Sequence, residues 1–94
     1  MMLTKQWILI ILLAEKIMRV SDIRTRYKTL AGKRISSEAV YACLKTMWKY
    51  DLTQKVFRKD KAWWRLNRYG RRYARKLTRN MAEALLYLDQ WGSH

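Results

Sequence analysis

The hydrophobic period of this chain switches twice. Apolar residues recur at helical spacing as far as Met47, alternate at a period of two from Leu52 to Leu66, and return to helical spacing after Asn67. One change of period suits many folds, but a change and a return within 94 residues suit few. The order reads as three helices, a β-hairpin and a long last helix, an α+β chain that is mostly helical. A chain of this length supplies a single core, so one domain is expected overall. Residues 1–68 are expected to form its main body, and residues 69–91 a C-terminal helix that packs on the body and dimerises. Gly92, Ser93 and His94 read as a tag remnant with no role.

The three early helices have start and stop signals of their own. Thr4 is expected to cap a first helix running to about Lys16, with Trp7, Ile8, Ile10, Ile11 and Leu12 giving a broad buried surface. Ser21 and Asp22 mark a second start, with Ile23, Tyr27 and Leu30 on the core side and Gly32 ending the helix. The third start is the clearest. Ser36 is the N-cap, and Ile35 and Val40 sit where a hydrophobic staple requires them. Val40, Cys43, Leu44 and Met47 then share one face, with Ser37, Glu38, Tyr41, Lys45 and Lys49 roughly opposite.

In the hairpin, Lys59, Asp60 and Lys61 form the turn, and Arg58, Lys59 and Lys61 carry positive charge at the tip. Trp63 and Trp64 must face opposite sides of the sheet, Trp64 inward and Trp63 outward. Three settings are open to Trp63: packing across the hairpin on Phe57, a dimer contact, or stacking on bases. Along the last helix Tyr73, Leu77, Met81, Ala84, Leu88 and Trp91 recur at intervals of three and four.

Charge narrows the function classes. Twenty-one Lys and Arg against seven Asp and Glu give a net charge of +14, which points to a polyanionic partner. One Cys and one His leave no cluster for a metal, and no cofactor is expected. No catalytic triad, phosphate-binding glycine loop or close carboxylate pair is present, so an enzyme is not expected. Cys43 is a small buried hydrophobe or, alternatively, a redox switch. The longest apolar run, Trp7 to Ala14, falls far short of the roughly 20 residues of a membrane span. No signal-cleavage pattern follows it, so a cytoplasmic location is expected, nucleoid-associated or in the host cytoplasm for a viral protein.

Two stretches carry a more specific likeness. The segment from Ile35 through Ser36, Ser37, Glu38, Val40, Tyr41 and Leu44 to Lys45 resembles the recognition helix of MarR- and PadR-type winged helix-turn-helix regulators. The segment from Leu66 and Asn67 to Gly70 resembles their exit from the second wing strand, with Asn67 where Thr is usual. Both Asn and Thr cap helices, so the mechanism is kept. The chain departs from the pattern at Tyr50 and Asp51, where these families commonly carry a Gly, and in its short wing.

The resemblance implies a small prokaryotic, archaeal or viral regulator that binds double-stranded DNA selectively as a homodimer. The third helix would enter the major groove through Ser36, Ser37, Tyr41 and Lys45. The wing would touch backbone or minor groove through Arg58, Lys59 and Lys61. Tyr41 also suits the edge of the core. Arg68, Arg71, Arg72 and Arg75 are expected phosphate contacts, although such a run also suits a solvated face. Leu77, Met81, Leu88 and Trp91 are the expected dimer contacts. Two other functions stay open: a non-selective architectural DNA or RNA binder, and a membrane-surface or protein-interaction module. No small-molecule effector is predictable.

Overall fold

The computed structural model describes the backbone of residues 2–92 and the side chains of residues 2–82. Among the described residues it has helices α1 (Thr4–Glu15), α2 (Val20–Ala31), α3 (Ser37–Lys49) and α4 (Arg68–Gly92). Strands β1 (Ile17–Met18), β2 (Thr53–Arg58) and β3 (Lys61–Leu66) form one antiparallel sheet in the order β1-β3-β2. This is a winged helix-turn-helix, with α2 and α3 as the helix pair and β2 and β3 as the wing. The sheet has one strand more than the sequence led us to expect. β1 is two residues long and offers no alternation to read; its pairing of Met18 with Trp64 exists only once the hairpin is in place.

α1 is the central helix. Ile8, Leu9, Ile11 and Leu12 are buried, and α1 packs against α2, α3, α4 and β3. Its cap differs from the expected Thr4. Leu3 is the N-cap, and its backbone N–H donates to Gln6 Oε1 at 2.9 Å. α2 repeats the device: Arg19 is the N-cap and its N–H donates to Asp22 Oδ2 at 3.1 Å, leaving Ser21 exposed inside the helix. A side chain at the third helical position that reaches back removes the need for a hydroxyl at the cap. Leu30 also departs from expectation, lying 47% exposed. After Val20, Ile23 and Tyr27, the next inward position of α2 is taken by Ala31, which packs on the core. Gly32 closes α2 at φ 75° in the left-handed conformation, as its sequence position suggests.

α3 follows its sequence closely. Ser36 Oγ accepts from the Ala39 N–H at 3.1 Å, Ile35 and Val40 are both buried, and Val40, Leu44 and Met47 face the core. β2 is tied to this helix through the buried Thr53, whose hydroxyl donates to the Leu44 carbonyl at 3.3 Å.

The wing turns on two residues, Lys59 and Asp60, at φ 50° and 62°, so Lys61 belongs to β3 and pairs with Arg58. Two left-handed residues in a two-residue loop match the right-handed strand twist. Trp64 is buried as expected. Trp63 is half-buried instead of exposed, and the register sets it opposite Val56, with Phe57 opposite Ala62. The Arg19 guanidinium covers the Trp63 ring at 5.2 Å, which accounts for the added burial.

At the wing's root the departure at Tyr50 and Asp51 has a local answer. Asp51 adopts φ 60°, the conformation a Gly would take there, and Asp tolerates it better than most residues. Asn67 holds it: the Asn67 amide donates to the Asp51 carbonyl and, at 3.2 Å, to its carboxylate. The same side chain accepts from the Gly70 N–H at 2.8 Å, which caps α4. Gly70 lies against the Leu52 carbonyl so closely that any Cβ would collide with it. The inward face of α4 then runs through Ala74 and Leu77, and Tyr73, expected on that face, is 52% exposed. Tyr73 lies to one side of the stripe that Gly70, Ala74 and Leu77 press against the body.

Candidate nucleic-acid interface

The outward stripe of α3 comprises Glu38, Tyr41, Ala42, Lys45, Trp48 and Lys49, all exposed. Tyr41 is 40% exposed and Trp48 63%. α2 fixes the start of this stripe through Arg24. Its Nε donates to the Ile35 carbonyl at 2.9 Å, and its Nη1 donates to Ser37 Oγ at 3.3 Å. Ser36 and Ser37 therefore both accept hydrogen bonds from within the chain. Each hydroxyl keeps its own hydrogen free to donate to an anion.

The fold brings α3 and the wing together at one hollow of about 350 Å³. Ser37 and Tyr41 line it from α3, Lys61 and Ala62 from β3, and Arg19, Val20, Ser21 and Arg24 from the start of α2. Three cations border it, of which Arg19 is also paired with the Asp22 carboxylate at 3.5 Å. A neighbouring hollow adds Lys28 and Arg34 beside Arg24. Of the residues singled out from the sequence, Ser37, Tyr41 and Lys61 meet here. Lys45 is exposed further along α3, and Lys59 stands at the wing tip. Arg19 and Arg24 were missed by sequence reasoning: Arg19 falls between the first two expected helices and Arg24 lies on the second, and only the fold sets them beside α3.

Arg58 lies elsewhere. With Arg65 it lines a hollow of about 400 Å³ whose other cations are Lys16, Arg71 and Arg75, over a floor that includes Leu12, Leu13, Ile17 and Leu66. Two of these guanidiniums are anchored, Arg65 on Gln54 Oε1 at 3.0 Å and Arg71 on the Leu66 carbonyl at 3.1 Å.

The remaining arginines belong to one face of α4. At 3.6 residues per turn, Arg68, Arg72, Arg75 and Arg79 fall within an arc of about 60°, flanked by Arg71 and Lys76. Gly70, Ala74 and Leu77 occupy the opposite side, against the body. Arg68 with Arg72, Arg71 with Arg75, Arg72 with Lys76 and Arg75 with Arg79 are like charges four apart. Each such pair disfavours a helix by about 0.2–0.5 kcal/mol. No Asp or Glu occurs between Asp60 and Glu83 to offset them.

Cys43 is half-buried against the core, and burial pushes its thiol up, opposed in part by Lys5. Of the expected dimer residues, Leu77 packs on the core and Met81 is half-buried. Leu88 and Trp91 lie outside the residues whose side chains are described. Among the described residues no helix is long and apolar enough to cross a membrane.

No protein-family model matches the sequence, and no curated protein matches it. Solved structures do match. A PadR family transcription regulator from hypervirulent Clostridium difficile gives a TM-score of 0.79 at 12% identity, over 93% of this chain and 96% of that one. A transcriptional regulator from Clostridium thermocellum gives 0.74 at 12% identity, over 92% and 87%. A mutant ZitR from Lactococcus lactis gives 0.76 at 21% identity, over 98% of this chain and 61% of that one. The chain spans 66% and 62% of two further ZitR structures, so it is about two thirds of their length or less. Geometry and comparison agree that this chain has the winged helix-turn-helix fold seen in these transcription regulators.

Proposed function

We propose that the protein binds double-stranded DNA selectively, as a dimeric transcriptional regulator, with α3 in the major groove and the wing on adjacent backbone or minor groove. The observation that carries this is the hollow where Ser37 and Tyr41 of α3 meet Lys61 of the wing among Arg19 and Arg24. Cations there neutralise phosphate, and the two serine hydroxyls supply donors to the backbone. Lys45, exposed in the middle of the stripe, is the side chain suited to a guanine edge. Lys59 at the wing tip contacts phosphate. The apolar spacing of Met81, Leu88 and Trp91 beyond the core-packed Leu77 supports a second copy along the later turns of α4, since that helix is about twice as long as α1.

Selection of bound sites from random duplexes tests this reading. A consensus with two half-sites about one duplex turn apart is expected, preferred over bulk DNA by about 10³-fold or more. Equal affinity for selected and random duplexes would instead establish the architectural reading.

A further inference from the structure

The cationic face of α4 has no part in the α3 surface. α1 packs against α2 and α3 and also against α4, so it stands between the reading helix and the last helix. The arginine arc of α4 lies on the opposite side of that helix from Gly70, Ala74 and Leu77, which press against the body. The hollows lined by α4 cations share no residue with the hollow that joins α3 to the wing.

We infer that this face is a second site for duplex DNA, so that a copy holding one duplex on α3 and the wing takes up another along α4. Arg68, Arg72, Arg75 and Arg79 form a straight line of about 16 Å, long enough to meet several phosphates of a duplex that carries one charge per about 1.7 Å of its axis. The arc contains no apolar residue that would enter a lipid surface, since the apolar side of these turns is already buried in the body. Of the exposed aromatics nearby, Tyr73 lies to one side of the arc and Tyr69 has the Arg68 guanidinium over its ring at 5.5 Å, where a single-stranded base would stack. Like charges so closely set are neutralised when phosphate lies along them. Arg58 and Arg65 extend the surface from α4 onto the wing.

The inference rests on the DNA-binding reading of α3, and one assay separates the two. Immobilised duplex is saturated with the full chain, washed, and offered a second, fluorescent duplex. Wild-type protein is expected to capture it. Lys76→Glu with Arg79→Glu, one flanking the exposed arc and one on it, should lower capture by about tenfold or more, because two cations that neutralise phosphate become anions that repel it. Affinity for a single duplex should then change by less than about threefold. The milder Lys76→Ala with Arg79→Ala, expected to reduce capture in the same direction, serves if the reversal disturbs folding by circular dichroism. Undiminished capture by both variants would show that paired α3 surfaces do the bridging, and would overturn the inference. Single-duplex binding without any capture overturns it while leaving the reading of α3 intact. Failure to bind the first duplex removes the reading itself. Capture of duplex DNA at least as well as of structured RNA supports this choice of partner, and a clear preference for the RNA overturns it.

Discussion

Asn67 shows how much can depend on one side chain. Its oxygen caps α4 on Gly70 while its amide holds Asp51, so Asn67→Ala removes a cap and leaves a left-handed residue unsupported. A loss of about 1–3 kcal/mol is expected in urea unfolding, the cap alone contributing about 1. Asn67→Thr should recover the cap but not the amide hydrogen bonds, and so lie between. Asp60 offers the opposite sign. It holds φ 62° in the turn, and Asp60→Gly relieves that conformation, raising stability by about 1 kcal/mol in the same measurement. Gly70 tolerates nothing larger, because the Leu52 carbonyl occupies the space of a Cβ. Cys43 titrates with a definite sign. Burial favours its neutral thiol, so alkylation at pH 8 should be slower than for a free thiol. Since its folded pKa is raised, stability should fall as pH rises through the thiol's titration, above its ordinary value of 9.0.

Among the elements, α3 and the wing differ in what their loss should do. Lys45→Ala is expected to change site preference by about 1–3 kcal/mol at the base it contacts, whereas Lys59→Ala should weaken all duplexes alike. Parallel binding curves on a selected and a scrambled site check this, and equal effects of both variants would sink the assignment of α3 to reading. The elements themselves were legible where one residue carries the signal. Ser36 capped α3, Trp64 went inward and Asn67 began α4, because each acts through neighbours in sequence. The rest depended on partners distant in the chain. β1 needs β3 to exist, Trp63 is covered by Arg19, and Leu30 lost its place to Ala31. Arg24 is the clearest omission: it acts through the Ile35 carbonyl and Ser37, 11 and 13 residues away, and nothing in its own helix announces it.

For the molecule as a whole, the net charge of +14 makes association a matter of counterions. Log affinity for duplex should fall linearly with log salt, with a slope of about 0.9 per phosphate neutralised, and Lys59→Ala should reduce that slope by about one. A charge this large would show the same trend on any polyanion, so the site-preference measurement is the one that separates reading from attraction. The placing of α1 has a consequence of another kind. β3 and α4, which cover part of it, are made some 50 to 60 residues after it. At about 5–20 residues per second, the sides of α1 that β3 and α4 cover stay bare for roughly 3 to 12 s of synthesis. The helix around which the finished protein is built is, for that interval, its greatest liability in the cell, and the nascent chain most in need of a chaperone is the one that stops just short of Ala74.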